Sequence, residues 1–409
     1  MFKPFHRICL VALSLSLSGA LFAAGATPAN TEQRAARGVN TAVVAHGQLL
    51  EVEGQFVFGS RQTIDAALDQ LNAATTFTAL LAPGGVTLNC PESGTLNARI
   101  SNLWLRTLKL EWSHCVSVEF SSRNDIDGPA EVTLAENSLA PGMVLSIRLG
   151  DLSRDHVLDS RPETPGPWFG GQTVSRNVRL TGPMQMAREY EPGGNFLGRY
   201  LVEAKGFVRR VQRLPDFDAS TGEPSAEFYD FSTTFSTDGA LLTGAYTADG
   251  TGNLLEAALL AGKFSTRFIY PLRPTKPTRT LDMWFRGTGL STRRAYDTAT
   301  SRYSVSIDGK VEGDFNQFFP LGCSGPDTFI FRTRAPLTLS PYSYYYEFFE
   351  GGELVVDQAV ATFSATGTEQ YVDLVGHVLL KVPGVGTFNY DYDEYILYGP
   401  FADAGRCTP

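Results

Sequence analysis

The feature that most constrains this chain is a period-two alternation of apolar and polar residues in several segments. In residues 143–149 the apolar positions fall on one face, and residues 303–308 and 388–393 alternate in the same way. Successive side chains of a β-strand point to opposite faces of a sheet, so this pattern predicts strands with one buried face. Because only 19% of the residues are charged, we expect a mainly β fold. It should consist of large antiparallel twisted sheets, as a half-barrel or sandwich, with one or two short helices.

Asp-Gly pairs recur at Asp127, Asp238, Asp249 and Asp308, each followed by glycine. Such pairs permit the positive φ angles of tight hairpins, so we predict turns at these positions. Residues 62–73 carry an apolar stripe at helical spacing and are the best helix candidate. Residues 254–261, flanked by Asn253 and Gly262, form a weaker second candidate.

The first 26 residues have the order of a secretory signal peptide: two basic residues, an apolar run, and a small-x-small cleavage site ending at Ala26. We therefore expect export to the periplasm or beyond the cell. Removal of Lys3 and Arg7 would take the formal net charge from −9 to about −11. That charge argues against nucleic acid as a partner, and the sequence after residue 26 has no apolar run long enough to span a membrane.

The rest of the chain is long enough for two domains. Residues 27–150 are expected to form an N-terminal β-rich domain and residues 199–409 a C-terminal one. Between them, residues 151–198 are rich in proline and glycine, which predicts a linker or long loop.

Four cysteines follow the predicted cleavage site, and an even number in an exported chain indicates disulfides. Proximity in sequence favours the pairs Cys90–Cys115 and Cys323–Cys407. The four cysteines lack the clustered spacing of a zinc site.

The sequence gives no catalytic residue, metal ligand or cofactor. The histidines after residue 26 (His46, His114, His156 and His377) are isolated, and the Asp155, His156 and Asp159 group is explained by a loop ion pair. Residues 216–223 present acids at alternate positions like a calcium loop, but without the glycine position of an EF-hand. The pair Asp391 and Asp393 with Glu394 forms another acidic patch.

Aromatic residues crowd into residues 342–349 and recur at Tyr390, Tyr392, Tyr395 and Tyr398. They suit lipid contact, sugar stacking or protein interfaces, although aromatics also pack β cores. We expect a non-catalytic envelope protein that binds an apolar or amphipathic ligand on a sheet face, with the helix at 62–73 as a cover. The alternatives are a structural or interaction module that contacts envelope proteins, and a secreted hydrolase with an unrecognised site.

Overall fold

The computed structural model describes residues 28–53, 59–119, 122–140, 143–159, 173–190, 196–217, 224–247, 254–270, 279–314, 327–339, 349–366 and 375–392. These residues contain helix α1 (Pro28–Glu53), helix α2 (Gly59–Ala74) and a short 3-10 turn at Ala79–Leu81. No described helix is both long and apolar enough to cross a membrane. The predicted signal peptide lies outside the described residues.

Seventeen strands are described, and strands account for 67% of the residues, which confirms the mainly β prediction. The first nine are β1 (Val86–Asn89), β2 (Ser93–Asn102), β3 (Thr107–Glu119), β4 (Ser122–Leu134), β5 (Val144–Asp159), β6 (Thr173–Tyr190), β7 (Phe196–Phe217), β8 (Pro224–Thr247) and β9 (Leu254–Ala261). The others are β10 (Lys263–Tyr270), β11 (Arg279–Asp297), β12 (Arg302–Asp314), β13 (Asp327–Leu339), β14 (Phe349–Val356), β15 (Ala359–Thr366), β16 (Val375–Val382) and β17 (Gly386–Tyr392).

The strands form one antiparallel meander in which nearly every strand pairs with the next along the chain. The exception is at β9 and β10, which lie end to end and are separated by Gly262 with a φ of 101°. Strand β8 pairs with β10 through residues 232–237 and with β9 through residues 241–246. Strand β11 likewise pairs with both. Together β9 and β10 therefore occupy a single strand position.

The described Asp-Gly pairs lie inside strands, so the prediction of hairpin turns is wrong at those positions. Asp127-Gly128 is within β4, Asp238-Gly239 within β8 and Asp308-Gly309 within β12. The pairing register shifts at each of them, which identifies β-bulges. The fourth pair, Asp249-Gly250, lies outside the described residues.

In two of these bulges, at Asp127-Gly128 and Asp308-Gly309, the glycine and the aspartate have different roles. Gly128 and Gly309 adopt φ angles of 108° and 114°, which glycine reaches without a steric penalty. The Asp127 Oδ1 atom accepts a hydrogen bond from the backbone N–H of His114 at 3.2 Å. The Asp308 Oδ1 atom accepts one from the N–H of Thr333 at 2.9 Å. The carboxylates thus pair with neighbouring amides where the ladder is interrupted.

The bulges lie at matching positions on β2 to β5 and again on β7 to β12, with the regular β6–β7 pairing between the two sets. We call them together the bulge row. It passes through Gly94, His114, Gly128, Gly150, Lys205, Gly239, Gly289 and Gly309. A bulge bends its strand and increases the local twist, so aligned bulges curve the whole sheet.

Helices α1 and α2 pack against the apolar face of this curved sheet. In α1 the fully buried residues are Ala36, Val39, Ala42, Ala45 and Leu49, and in α2 they are Ile64, Leu68 and Leu71. All belong to one buried cluster that extends through the strands to Val382. Since α1 contacts strands as far apart as β9 and β16, it lies across the strands and covers much of this face.

Charged side chains fix the first part of α1 to the sheet. The Arg34 guanidinium donates hydrogen bonds to Asp357 and to the carbonyl oxygen of Thr328, the latter at 2.6 Å, and lies over the Phe329 ring. One turn later, Arg37 pairs with Asp327 at 3.0 Å. The helix is therefore held by ion pairs at one end and by apolar contacts along its length.

Of the two predicted helices, one is present and the other is a strand. The helix predicted at 62–73 is confirmed as α2, whereas α1 was not predicted. The helix predicted at 254–261 is wrong, because these residues form β9 and pair with β8 and β11. Strand β6 falls within the stretch expected to be a linker, and it is paired along both edges. The division into two domains stays a prediction.

Three glycines allow the cost of disturbing the bulge row to be measured. A side chain at Gly309 would overlap the Gly289 carbonyl oxygen and would also have to adopt a positive φ. At Gly289 only the positive φ is present, and at Gly84 neither is. We expect Gly309→Ala to lower the free energy of unfolding by about 3 kcal/mol. Gly289→Ala should lower it by about 1 kcal/mol, and Gly84→Ala by less than about 0.5 kcal/mol.

Urea unfolding of the three variants measures this order. Equal stabilities for Gly309→Ala and Gly84→Ala would show that the bulge at Gly309 is not a fixed feature of the fold.

Candidate functional site

The first predicted cysteine pair is brought together beside the bulge row. The side chains of Cys90 and Cys115 lie at disulfide distance, with Cα atoms 5.3 Å apart, and both are buried. Cys90 precedes β2 and Cys115 directly follows the bulge at His114, so a bond here ties the start of β2 to β3. Cys323 and Cys407 lie outside the described residues, and their pairing stays a prediction.

The described histidines lie apart from one another. His114 is exposed in the β3 bulge, and its Nδ1 atom is 3.8 Å from Asp125. His377 in β16 contacts the Thr366 hydroxyl at 2.7 Å, and His156 lies in β5 rather than in the loop that we expected. Within the described ranges, no group of three or more His, Cys, Asp or Glu residues is arranged to hold a metal ion. Most of residues 216–223, together with Asp393 and Glu394, lie outside those ranges.

Among the histidines whose side chains the structure describes, His46 is the one that lies in the interior. It projects from α1 toward β11, and its Nδ1 atom is hydrogen-bonded to the Thr292 hydroxyl. The Phe349 ring lies 6.0 Å away between centroids. Thr292 uses its only hydroxyl proton to donate to the carbonyl oxygen of Ser306 at 3.1 Å. His46 Nδ1 must therefore be the donor, which identifies the neutral tautomer protonated at Nδ1.

Burial, and after it the nearby positive charge of Arg294, lowers the pKa of His46 from 6.5 to about 3. Protonation would place a second cation beside Arg294 in an apolar interior. A neutral histidine held in this way has a structural role between α1 and the sheet, and near neutral pH it does not titrate.

Two members of the aromatic clusters, Phe349 and Tyr390, pack inward. Phe349 is buried and meets Phe363 edge to face, with centroids 5.5 Å apart. The Tyr390 hydroxyl donates a hydrogen bond to Glu32 on α1. Burial, followed by the contact with the Glu32 carboxylate, raises the pKa of this phenol. Residues 342–348, Tyr395 and Tyr398 lie outside the described residues.

The most unusual exposed feature is the turn between β2 and β3, which sequence analysis missed. We call residues 102–106 the β2–β3 tip. It exposes three consecutive apolar side chains: Leu103 (50% exposed), Trp104 (93%) and Leu105 (63%). Tryptophan is among the residues least often left on a surface, so an almost fully exposed one between two exposed leucines needs an explanation. The sequence signal that could have revealed the tip is a run of three consecutive apolar residues, because such a run interrupts the alternation of the strands on either side.

Hydrogen bonds hold the tip in one conformation. Asn102 Oδ1 accepts from the N–H of Leu105 at 3.0 Å, and the Arg106 N–H donates to the Leu103 carbonyl at 3.2 Å. Arg106 has a positive φ of 48°, and its guanidinium donates to the carbonyl of Ala135 beyond β4. The N–H of Leu134 in turn donates to the Arg106 carbonyl at 3.1 Å. The apolar side chains are thus displayed on an anchored turn.

Below the tip, the outward residues of β2 to β5 form two layers across the strands. The first is a hydroxyl row, in which Thr107 pairs with Thr133 and Thr133 with Ser146, while Ser101 lies beside them on β2. The second is a basic row, in which Arg99 pairs with Lys109, Lys109 with Glu131, and Glu131 with Arg148. Within it Lys109 and Glu131 form an ion pair at 3.0 Å. The basic row therefore contains three cations and one carboxylate at paired positions on four neighbouring strands.

A second surface feature lies at the turns after β14 and β16. It is a shallow depression of about 480 Å³ lined by residues that include Gln358, Lys381, Pro383 and Thr387. Lys381 is its single ionisable side chain, so the depression offers less recognition chemistry than the tip and its two rows.

No protein-family model, curated protein or solved structure matches this chain.

The burial of His46 predicts a pH dependence of stability. In the folded chain His46 stays neutral down to about pH 3, whereas in the unfolded chain it takes up a proton below about pH 6.5. The unfolded chain therefore gains a proton that the folded chain does not take up. The free energy of unfolding is highest above pH 6.5 and decreases as the pH falls below it. Between pH 6.5 and 5, the free energy of unfolding should decrease by about 1 kcal/mol per pH unit. Denaturant unfolding at a series of pH values measures the slope.

The variant His46→Gln retains an amide donor for Thr292 and should lose most of this slope. His114→Gln is the matched control, since the His114 side chain is 77% exposed, and it should keep the slope. If His46→Gln kept the wild-type slope, His46 would not be the group responsible.

Proposed function

We propose that the chain is an exported, non-catalytic interaction module of the cell envelope and that it docks through the β2–β3 tip. The observation that carries this proposal is the exposure of Leu103, Trp104 and Leu105 on a turn that is fixed by hydrogen bonds at both ends. Export and the lack of catalysis are supported by the sequence: the basic, apolar and small-residue order of residues 1–26, and isolated histidines.

The energetics of the tip favour a docking role. The Trp104 side chain alone presents roughly 200 Å² of mostly apolar surface. Burying that area against a partner would contribute about 5 kcal/mol before the costs of association. The anchored turn reduces one of those costs, because its backbone is already ordered. A rigid aromatic anchor with apolar neighbours is the usual composition of an interaction hot spot.

The hypothesis of an apolar-ligand carrier stays a prediction, but the packing of α1 disfavours it. A carrier would bind its ligand on the concave apolar face of the sheet. That face is in contact with α1, five of whose side chains are fully buried. A ligand there would require α1 to move, and the ion pairs of Arg34 and Arg37 oppose such movement. The hydrolase hypothesis also stays a prediction, with no residue assigned to it.

Site-specific photocross-linking tests the proposal. A benzophenone amino acid replaces Trp104 in one variant and Val118 in another, and both are irradiated in cells of the native host. Val118 is the matched control, because it is also apolar, is 50% exposed and lies on β3 at the opposite end from the tip. We expect position 104 to give a covalent adduct and position 118 to give several-fold less.

An adduct with either a protein or a lipid supports docking through the tip. Equal labelling at the two positions, or no adduct at position 104 in a folded and exported variant, would contradict it.

A further inference from the structure

The two rows below the tip indicate what kind of partner it meets. We propose that the β2–β3 tip inserts into the surface of an anionic phospholipid bilayer, an inference that rests on the proposed docking role. Trp104 and its neighbouring leucines enter the interface, and the basic row contacts phosphate headgroups.

The order of side chains along the hairpin matches the order of chemistry in a bilayer surface. Apolar residues occupy the tip, hydroxyl residues follow at Thr107, Thr133 and Ser146, and the basic row comes next. A bilayer passes in the same order from acyl chains through the glycerol and ester region to charged headgroups. Tryptophan is enriched at this boundary because its ring is apolar and its N–H is polar.

The spacing along β2 agrees with this placement. Arg99 and Asn102 are three residues apart, which corresponds to roughly 10 Å in an extended strand. Amphipathic elements that lie in the interface bury their apolar side by about 5–10 Å. With the tip at that depth, Arg99 and the rest of the basic row lie at the level of the headgroups.

The charges of the basic row favour an anionic surface. Arg99 and Arg148 are exposed, and Lys109 forms an ion pair with Glu131. The row has three cations and one carboxylate, although the whole chain has a formal net charge of −9. A protein partner would have to supply a pocket for a convex tip and acids for the row, whereas an anionic bilayer supplies both at any point of its surface.

Vesicle binding by the purified mature protein, with the Cys90–Cys115 disulfide intact, is the test. Cosedimentation with vesicles of phosphatidylcholine containing phosphatidylglycerol is compared with pure phosphatidylcholine. The tip variant combines Leu103→Ser, Trp104→Ser and Leu105→Ser, and the row variant combines Arg99→Ser and Arg148→Ser. Val118→Ser is the matched control for loss of an exposed apolar side chain.

We expect binding to the anionic vesicles, loss of at least about tenfold in the tip variant, and no change in Val118→Ser. The row variant should lose about twenty-fivefold on anionic vesicles, since each of its two basic residues near such a surface contributes about fivefold. The wild-type tryptophan emission should shift to shorter wavelength on binding. Trp104→Phe should still bind while losing most of that shift, because Trp104 is the tryptophan of the tip.

Two outcomes would overturn the lipid inference, and they are distinguishable from failure of the proposed function. Absence of vesicle binding together with a protein adduct at position 104 would leave the docking role intact and replace the lipid by a protein partner. Absence of both would overturn the docking role as well. Vesicle binding that the tip variant retains would show that another surface binds lipid.

Discussion

Five fully buried side chains of α1, from Ala36 to Leu49, pack against the apolar face of the sheet, and the other features of the fold depend on this contact. The residues are mostly small, which lets the helix approach the strands closely. At Gly38 a side chain would overlap Val356 and Phe329. The helix contacts both β9 and β16, so it lies across the strands and covers the apolar face between them.

The bulge row bends the sheet through backbone chemistry rather than through loops. Glycines such as Gly128 and Gly309 accept positive φ angles, and the preceding aspartates accept hydrogen bonds from amides of neighbouring strands. The sheet can then bend without leaving those amides unpaired. With its apolar face turned toward the helices, the sheet presents its outward residues and its turns to partners. The β2–β3 tip and its two rows are parts of that outer surface.

Sequence patterns predicted the fold class and helix α2, both of which rest on a clear local periodicity. Strand alternation gave the fold class, and the stripe of α2 gave its helix. Helix α1 was missed because its buried face contains many small residues, such as Ala36, Ala42 and Ala45, which barely differ from a polar background in a periodicity search. Residues 254–261 contain good helix formers, yet pairing with β8 and β11 overrides that propensity. The basic row could not be predicted from the sequence, because its residues become neighbours only through the strand register. These residues are Arg99, Lys109, Glu131 and Arg148.

The central claim is that α1 is a permanent part of the core, so that the chain acts through its outer surface. Native-state hydrogen exchange tests this claim most directly, with the amides of residues 36–49 compared with those of residues 290–295 in β11. The account predicts that both sets exchange only through global unfolding, with the same dependence on denaturant. Exchange of the α1 amides through a separate opening, at a lower free energy than those of β11, would contradict it and would restore the concave face as a ligand site.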